Sequence, residues 1–355
     1  MRWEKLDAGG NCRRFANKIG KHEHPPNSSS TSSATGSTFE PEWVRAWGHG
    51  YDQPGILPGL SDMGANQAWD VVIYDVRLYV AGTEQARERG NTDLFVRCYD
   101  LDGSLRWEQI WDNGSKDAGF VIRADNDNGH LFLYIGRYTR VGNVNKALFQ
   151  KRDATDGTLF WSKTWGEIPF SHHEIDGIAI VDDALYVSHY DMTFAGRNIN
   201  AVLRRFDKRE LDRTHGQAAP ILTSVWGEVE KEQDSTDGHI YVDKTGVWVT
   251  GRIGGKSFLG AGGGDLYLTK IDPVGRQLWL QKWGKEGYDQ GLSLASDGER
   301  VYVAGMTMGQ GATGLHPVVV AFGMDGVVGA EHVRGAVGTG LCAAWQLTRC
   351  TSMQL

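Results

Sequence analysis

Residues 94–111 read LFVRCYDLDGSLRWEQIW: an apolar run from Leu94 to Tyr99, a tight Asp102-Gly103 turn, and a second run closed by Trp107 and Trp111. Alternating or β-branched runs on both sides of an Asp-Gly pair signal a hairpin, because glycine accepts the positive φ that such turns require. The pattern returns at Leu148, LFQKRDATDGTLFW, and at Leu266, LYLTKIDPVGRQLW.

The tryptophans number the copies. Trp43 and Trp47, Trp107 and Trp111, Trp161 and Trp165, and Trp279 and Trp283 form W-x-x-x-W pairs, and LTSVWG keeps Trp226 with Leu222 in the first place. Successive second tryptophans are 64, 54, 61 and 57 residues apart. That period is too long for a helical solenoid repeat and suits a four-stranded blade with one or two long loops. A second hairpin follows each tryptophan strand: VVIYDVRLYVAG, FVIRADNDNGHLFLYIG, IAIVDDALYVSHY, HIYVDKTGVWVTG and LSLASDGERVYVAG. The expected fold is therefore all-β, a β-propeller of four-stranded antiparallel blades with five complete repeats. Extra strands from Phe39–Gly48 and from the C-terminal segment leave five blades with added strands, or six with one incomplete, both open. The nine repeated tryptophans are expected to be wedges between blades, with their indole N–H groups reaching a neighbouring polar atom.

Residues 1–38 are expected to be a disordered polar tail: HEHPPNSSSTSSATGST, residues 22–38, holds no large apolar side chain that could offset its ordering entropy. The propeller is expected over 39–334, with 335–355 a C-terminal segment adding one or two strands.

The W-x-x-x-W-G strand, the Y-V-x-G strand end and the Y-D-x-D-G turn resemble the SBBP-type β-propeller repeat over about residues 40–333. The resemblance implies propellers found in surface and extracellular proteins, generally without an assigned reaction. RDATDGTLFW is also similar, more distantly, to the tryptophan-docked repeat of quinoprotein propellers, in blade architecture rather than chemistry.

The formal net charge of −7, from 37 basic and 44 acidic residues interspersed along the chain, excludes a domain-scale basic field for nucleic acid or an anionic membrane. No stretch reaches the 18 or so apolar residues of a spanning helix, and the first residues lack the apolar centre of a secretory signal. As written, the chain is expected to be soluble, unsecreted and monomeric, against the surface location that the family resemblance implies. Cys12, Cys98, Cys342 and Cys350 have no metal-ligand spacing and are expected to be free thiols, a Cys342/Cys350 pair being the alternative. The basic run Arg204, Arg205, Lys208, Arg209 and Arg213 is diluted by Asp207, Glu210 and Asp212 and is expected to be a solvated loop.

Aligned on the Y-V-x-G end, the copies place Asn66, Asp117, Asp176, Asp237 and Asp289 at the start of the first strand. If that strand is the innermost of each blade, these oxygens form a ring at the channel mouth that suits a hard cation such as Ca²⁺. The alternative is that each caps the turn leading into its strand. His172, His173 and Glu174 lead into one such strand, and His189 replaces the glycine at that copy's Y-V-x-G end. They are the candidates for acid/base or metal chemistry. Gly309–Gly314 matches G-x-G-x-x-G but leads into a strand rather than the helix a dinucleotide needs. Asp125, Asp127 and Gly129 resemble a calcium loop without its twelfth-position acid and are expected to form a turn.

In an antiparallel blade the connections alternate between two ends, so the tight turns share one face and the long loops the other. That long-loop face gathers His49, Asp52, His172, His173, Glu174, His189 and Asp191, and a ligand is expected to dock there. Two functions follow, with a structural module of a larger assembly as a third. One is a non-enzymatic scaffold that recognises a protein or glycan through those loops. The other is a hydrolase or lyase with a cation-assisted site at the channel mouth.

Overall fold

The computed structural model describes residues 42–45, 66–85, 91–166, 171–193, 198–227, 233–236, 239–255, 263–284, 287–308, 314–326 and 328–332. Trp47, His49, Asp52, Asp237, the tail 1–38, the segment 335–355 and three of the four cysteines lie outside the described residues. Residues 42–45 carry no strand and belong to a unit, Met1–Ala46, distinct from Trp47–Leu355. There the Arg45 guanidinium stands 5.9 Å over the Trp43 indole.

Every described strand belongs to Trp47–Leu355, and the strands fall into five successive groups. The first group is β1 (Gln67–Tyr74), β2 (Arg77–Gln85), β3 (Thr92–Asp100) and β4 (Leu105–Trp111). The second is β5 (Asp117–Asp127), β6 (His130–Val141), β7 (Val144–Asp153) and β8 (Leu159–Trp165). The third is β9 (Ser171–Val181), β10 (Ala184–Thr193), β11 (Asn198–Asp207) and β12 (Leu222–Trp226), with the short helix α1 (Lys208–Arg213) between the last two. In the fourth, β13 (Gln233–Ser235) and β14 (Ile240–Asp243) share the first position before β15 (Gly246–Gly255), β16 (Asp265–Ile271) and β17 (Gln277–Trp283). The fifth is β18 (Asp289–Ser296), β19 (Arg300–Thr307), β20 (His316–Gly323) and β21 (Val328–His332). Within each group consecutive strands pair antiparallel. The second, third and fourth groups are further bridged by parallel contacts at Asn145 with His172 and Ile199 with Gln233.

The apolar core is divided among the junctions between consecutive groups. Tyr79, Leu94 and Cys98 pack on Ile122, Leu133 and Leu148; Phe149 and Trp161 pack on Ile178, Leu185 and Phe206. Leu203 and Trp226 meet Val249 and Tyr267, and Trp248 and Leu268 meet Val303 and Phe322. Contacts between neighbouring groups concentrate at first strands: β1 touches β5, β5 touches β9, β9 touches β14 and β14 touches β18. Sheets stacked face to face and converging on their first strands form a β-propeller arrangement, which covers both faces of each sheet. Among the described residues no helix is long and apolar enough to cross a membrane.

The tryptophan of the first repeat position reaches across each junction. A Cβ built on Gly157 would stand 2.6 Å from the Trp107 ring, and one on Gly216 3.3 Å from the Trp161 ring. Trp279 meets Gly326 and Leu222 meets Gly275 in the same way. Each glycine sits in the turn between the third and fourth strands of the following sheet with positive φ, 78° at Gly157 and 84° at Gly216. Trp107 Nε1 donates to the Ala154 carbonyl at 3.2 Å and Trp161 Nε1 to Asp212 Oδ1 at 2.8 Å. The second tryptophans differ: among the described residues no acceptor meets the indole N–H of Trp111, Trp165 or Trp226.

Two expectations change here. The basic run is not a solvated loop: Arg204 and Arg205 lie in β11, and buried Lys208 donates to Asp125 Oδ2 at 2.7 Å. Lys208 starts α1, whose N-cap Asp207 accepts from Glu210 N. The histidines expected on a loop stand in paired strands, with His173 opposite Asp191 and Ile175 opposite His189.

Candidate functional site at the convergence of the first strands

A β-bulge interrupts the first strand of each well-described sheet, leaving Trp69, Phe120, Asp176 and Leu292 out of the ladder. Asn66, Asp117, His173 and Asp289 each stand three residues before their bulge and are therefore equivalent. In the fourth sheet a Cβ on Gly251 would meet Ser235 O at 2.0 Å, as one on Gly82 meets Gln67 O at 2.1 Å and one on Gly305 meets Gln290 O at 1.9 Å. Ser235 thus matches Gln67 and Gln290, and Asp234 completes the set.

The equivalent positions are Asn66, Asp117, His173, Asp234 and Asp289. Asp176 is not among them; it occupies a bulge, and Asp237 lies outside the described residues. Local capping accounts for one of the five, Asp117 Oδ2 accepting from Asn113 N at 2.9 Å, while Asn66 Oδ1 accepts from Gln85 N at 3.0 Å and Asp234 Oδ1 from Gly254 N at 2.8 Å across to the end of the adjacent strand. These residues also explain the glycine after the second tryptophan. A Cβ on Gly166 would stand 2.3 Å from the His173 ring, one on Gly227 2.5 Å from Asp234 Oδ2, and one on Gly284 2.6 Å from Asp289 Oδ2.

Two of the bulged residues meet directly and a third is joined to them through Arg137. The Trp69 and Phe120 rings, both half-buried, lie 5.1 Å apart, tilted by 50°. The Arg137 guanidinium covers Phe120 at 4.3 Å and holds two carboxylates, Glu174 Oε2 at 2.6 Å and Asp176 Oδ1 at 2.7 Å. Asp176 Oδ2 also accepts from Thr236 Oγ1 at 2.7 Å. One connected set thus draws on four consecutive sheets. Burial alone would raise the Glu174 carboxyl, but Arg137, with smaller help from His172 and Tyr190, holds it below its ordinary value. His172, one-third exposed, stands with Nδ1 3.9 Å from Glu174 Oε1 and 3.0 Å from Asn145 Nδ2.

On the opposite side of β9, His173 Nδ1 and Asp191 Oδ1 are 2.6 Å apart, and His189 Nδ1 is 3.0 Å from the same oxygen. Burial opposes ionisation of Asp191, yet the two imidazoles hold its carboxyl well below the usual range. Fully buried His189 is pushed down by burial, with Arg204 and His173 adding to that against Asp191. Its ring meets Trp165 edge-on at 5.4 Å, and the Arg204 guanidinium lies 5.0 Å from the same indole. His173 and His189 are therefore packed into a junction and not presented to solvent.

Sequence reasoning missed a third cluster. Asp70 Oδ2 accepts from Arg123 Nη1 at 2.6 Å and from Ile122 N at 3.1 Å. Buried His239 from the fourth sheet feels both Asp70 and Arg123, and burial pushes its imidazole down to about 4. The available signal was a charged residue shortly past the bulge, Asp70 one residue after Trp69 and Arg123 three after Phe120. Of the other sequence motifs, Asp125 and Asp127 lie in β5 and Asn128-Gly129 is the β5–β6 turn, with Asn128 at φ 52° and Gly129 at φ 88°. Residues 309–313, all but the last glycine of the G-x-G-x-x-G match, lie outside the described residues. Cys98 is a buried free thiol whose titration burial moves up to about 11.

No protein-family model and no curated protein matches the chain. Similar solved structures include an exo-β-1,3-galactanase from Phanerochaete chrysosporium, at 10% identity and a TM-score of 0.44 over 77% of this chain and 66% of that one. An α-L-arabinofuranosidase from Clostridium thermocellum shows 11% identity and a TM-score of 0.38 over 74% and 92%. A GH43 endo-arabinanase from Bacillus licheniformis shows 12% and 0.36 over 74% and 97%. Likeness at this level assigns no residue and no substrate. The expectation of a non-enzymatic binding scaffold is corrected: the three similar structures are named as enzymes, and likeness at this level carries the fold alone.

Proposed function

We propose that the protein is a hydrolase of a hydroxyl-rich, carbohydrate-like substrate, with its site where the first strands of a closed five-bladed propeller converge. Closure is supported by His239 of the fourth sheet feeling Asp70 of the first and Arg123 of the second. The observation that carries the reaction is the Arg137 clamp on Glu174 and Asp176 beside the half-exposed Trp69 and Phe120. Aromatic faces offer a sugar ring an apolar platform, while carboxylates accept from its hydroxyls.

Glu174, kept ionised by Arg137, takes a proton from water as the water oxygen attacks the substrate carbon. His172, as the imidazolium, gives its Nε2 proton to the departing oxygen and is left as neutral imidazole, so the products carry the elements of water across the broken bond. Asp176, shared between Arg137 and Thr236, positions the guanidinium.

The test is hydrolysis of aryl glycosides and soluble polysaccharides, galactan and arabinan among them, by the purified protein and by Glu174→Gln. Turnover that falls at least about 100-fold in the variant, with an unchanged melting temperature, supports the reading. Equal turnover in both, or none on any of these substrates, overturns it.

A further inference from the structure

The glycine that follows the second tryptophan in four of the five copies, Gly48, Gly166, Gly227 and Gly284, is replaced in the second copy by Asp112. At that junction, between the first and second sheets, Asp112 meets Asp93 at the start of β3 and Asp117 at the start of β5. One carboxylate oxygen of each lies within 4.8 Å of the others.

A group of acids is not by itself a site, but two of these are buried with an oxygen unused. Asp93 is 8% exposed and Asp117 fully buried, and among the described residues Oδ1 of each has no hydrogen-bond donor. Of the other bonds, Asp117 Oδ2 accepts from Asn113 N at 2.9 Å, the Thr139 hydroxyl also bonds the Asp117 carboxylate, and Asp112 Oδ1 accepts from Gly114 N at 2.7 Å. Leaving a buried carboxylate oxygen without a partner is costly, and three acids this close repel one another. The charges acting on Asp93 are Asp112 and Glu84, and those on Asp117 are Asp112 and Asp93, all of them negative. Without a cation, burial and this repulsion push both Asp93 and Asp117 up to about 6. The counterpart junction in the fifth copy has Asp265 and Asp289 but glycine at 284, so it lacks the third acid.

We propose that Asp93, Asp112 and Asp117 bind a hard divalent cation, of the Ca²⁺ type, that ties the first sheet to the second. All the donors are oxygens, which suits Ca²⁺ better than a metal that prefers nitrogen or sulfur. Binding linked to the folded state stabilises it by mass action. The site is independent of the catalytic reading above.

The test uses the full chain, stripped with a chelator and titrated with Ca²⁺ by calorimetry and thermal melting. Stoichiometric binding and a rise in melting temperature are expected for the wild type. Asp112→Gly, which installs the residue the other copies carry, should fold and lose both responses. Asp93→Asn should weaken them. Tb³⁺ bound in place of Ca²⁺ should emit on tryptophan excitation through adjacent Trp111, and the emission should be absent in Asp112→Gly. A wild-type melting temperature indifferent to Ca²⁺, or an Asp112→Gly variant that responds equally, overturns the proposal.

Discussion

The indole of Trp107 occupies the space into which a side chain on Gly157 would project, 2.6 Å from a built Cβ, although the two residues lie fifty positions apart in neighbouring sheets. Gly157 also has φ 78°, so Gly157→Ala meets both a backbone penalty and a clash with a ring that cannot move without opening the junction. A loss of at least about 2 kcal/mol is expected. The complementary change, Trp161→Ala, removes the equivalent wedge one junction further and should cost about 3–5 kcal/mol. Urea unfolding at constant m-value measures both; a neutral result for Trp161→Ala would remove the wedge from the account of stability.

Lys151 is fully buried, with Nζ 2.6 Å from Asp212 Oδ2 and 3.8 Å over the Phe132 ring. Asp212 comes from α1 and also accepts the Trp161 indole N–H. Removing Asp212 leaves a buried ammonium without its counter-charge, and Asp212→Ala is expected to cost about 3–5 kcal/mol. Lys151→Met keeps the volume and removes the charge, so it should cost much less. Comparable losses for the two variants would mean that packing, and not the unpaired charge, dominates.

The repeat was legible because its signals are local: Asp-Gly turns, period-two strands, and tryptophans that each answer a turn glycine one copy later. The five sheets follow from those. The ring was misread at two places for an identifiable reason. Asn66 and Asp289 stand sixteen residues before Gly82 and Gly305, and the same step back from His189 reaches His173, not Asp176. The Asp-Gly pairs at 176–177 and 237–238 drew the alignment three residues off, because residue type was matched where strand register decides the equivalence. The Arg137 clamp was not legible at all. It needs side chains from three sheets, and only the paired register brings Phe120, Glu174 and Asp176 around one guanidinium, with Thr236 behind Asp176.

His239 supplies a pH-dependent term in stability. Its imidazole is pushed from the ordinary 6.5 down to about 4 by burial, so between those values the unfolded chain binds a proton that the folded protein refuses. Stability from this group is complete above about pH 6.5 and is lost as pH falls toward 4. The full swing is on the order of 3 kcal/mol. Asp93 and Asp117 act oppositely without cation: raised to about 6, they favour the folded state most below pH 4 and lose that contribution as pH rises through 6. Denaturant titrations of wild type and His239→Gln from pH 4 to 7, in saturating Ca²⁺, isolate the histidine. The difference between the two curves should grow with pH; parallel curves would show that His239 is not the group responsible.

Arg137 is a positioning residue in the proposed reaction, and the pH profile separates that role from a structural one. Its guanidinium, 2.6 Å from Glu174, is what holds that carboxyl below its ordinary value against burial. A general base works in its deprotonated form, so the acid limb of kcat/KM reports the Glu174 titration in the free enzyme. Arg137→Gln keeps hydrogen-bond donors but removes the charge. Burial then acts unopposed and the carboxyl moves up, carrying the acid limb toward higher pH, whereas Arg137→Lys should restore part of the original position. A merely structural loss would lower the whole profile without moving its limb. If the limb stays in place in Arg137→Gln while activity persists, Glu174 is not the base, and the clamp on Glu174 and Asp176 serves only to join the second and third sheets.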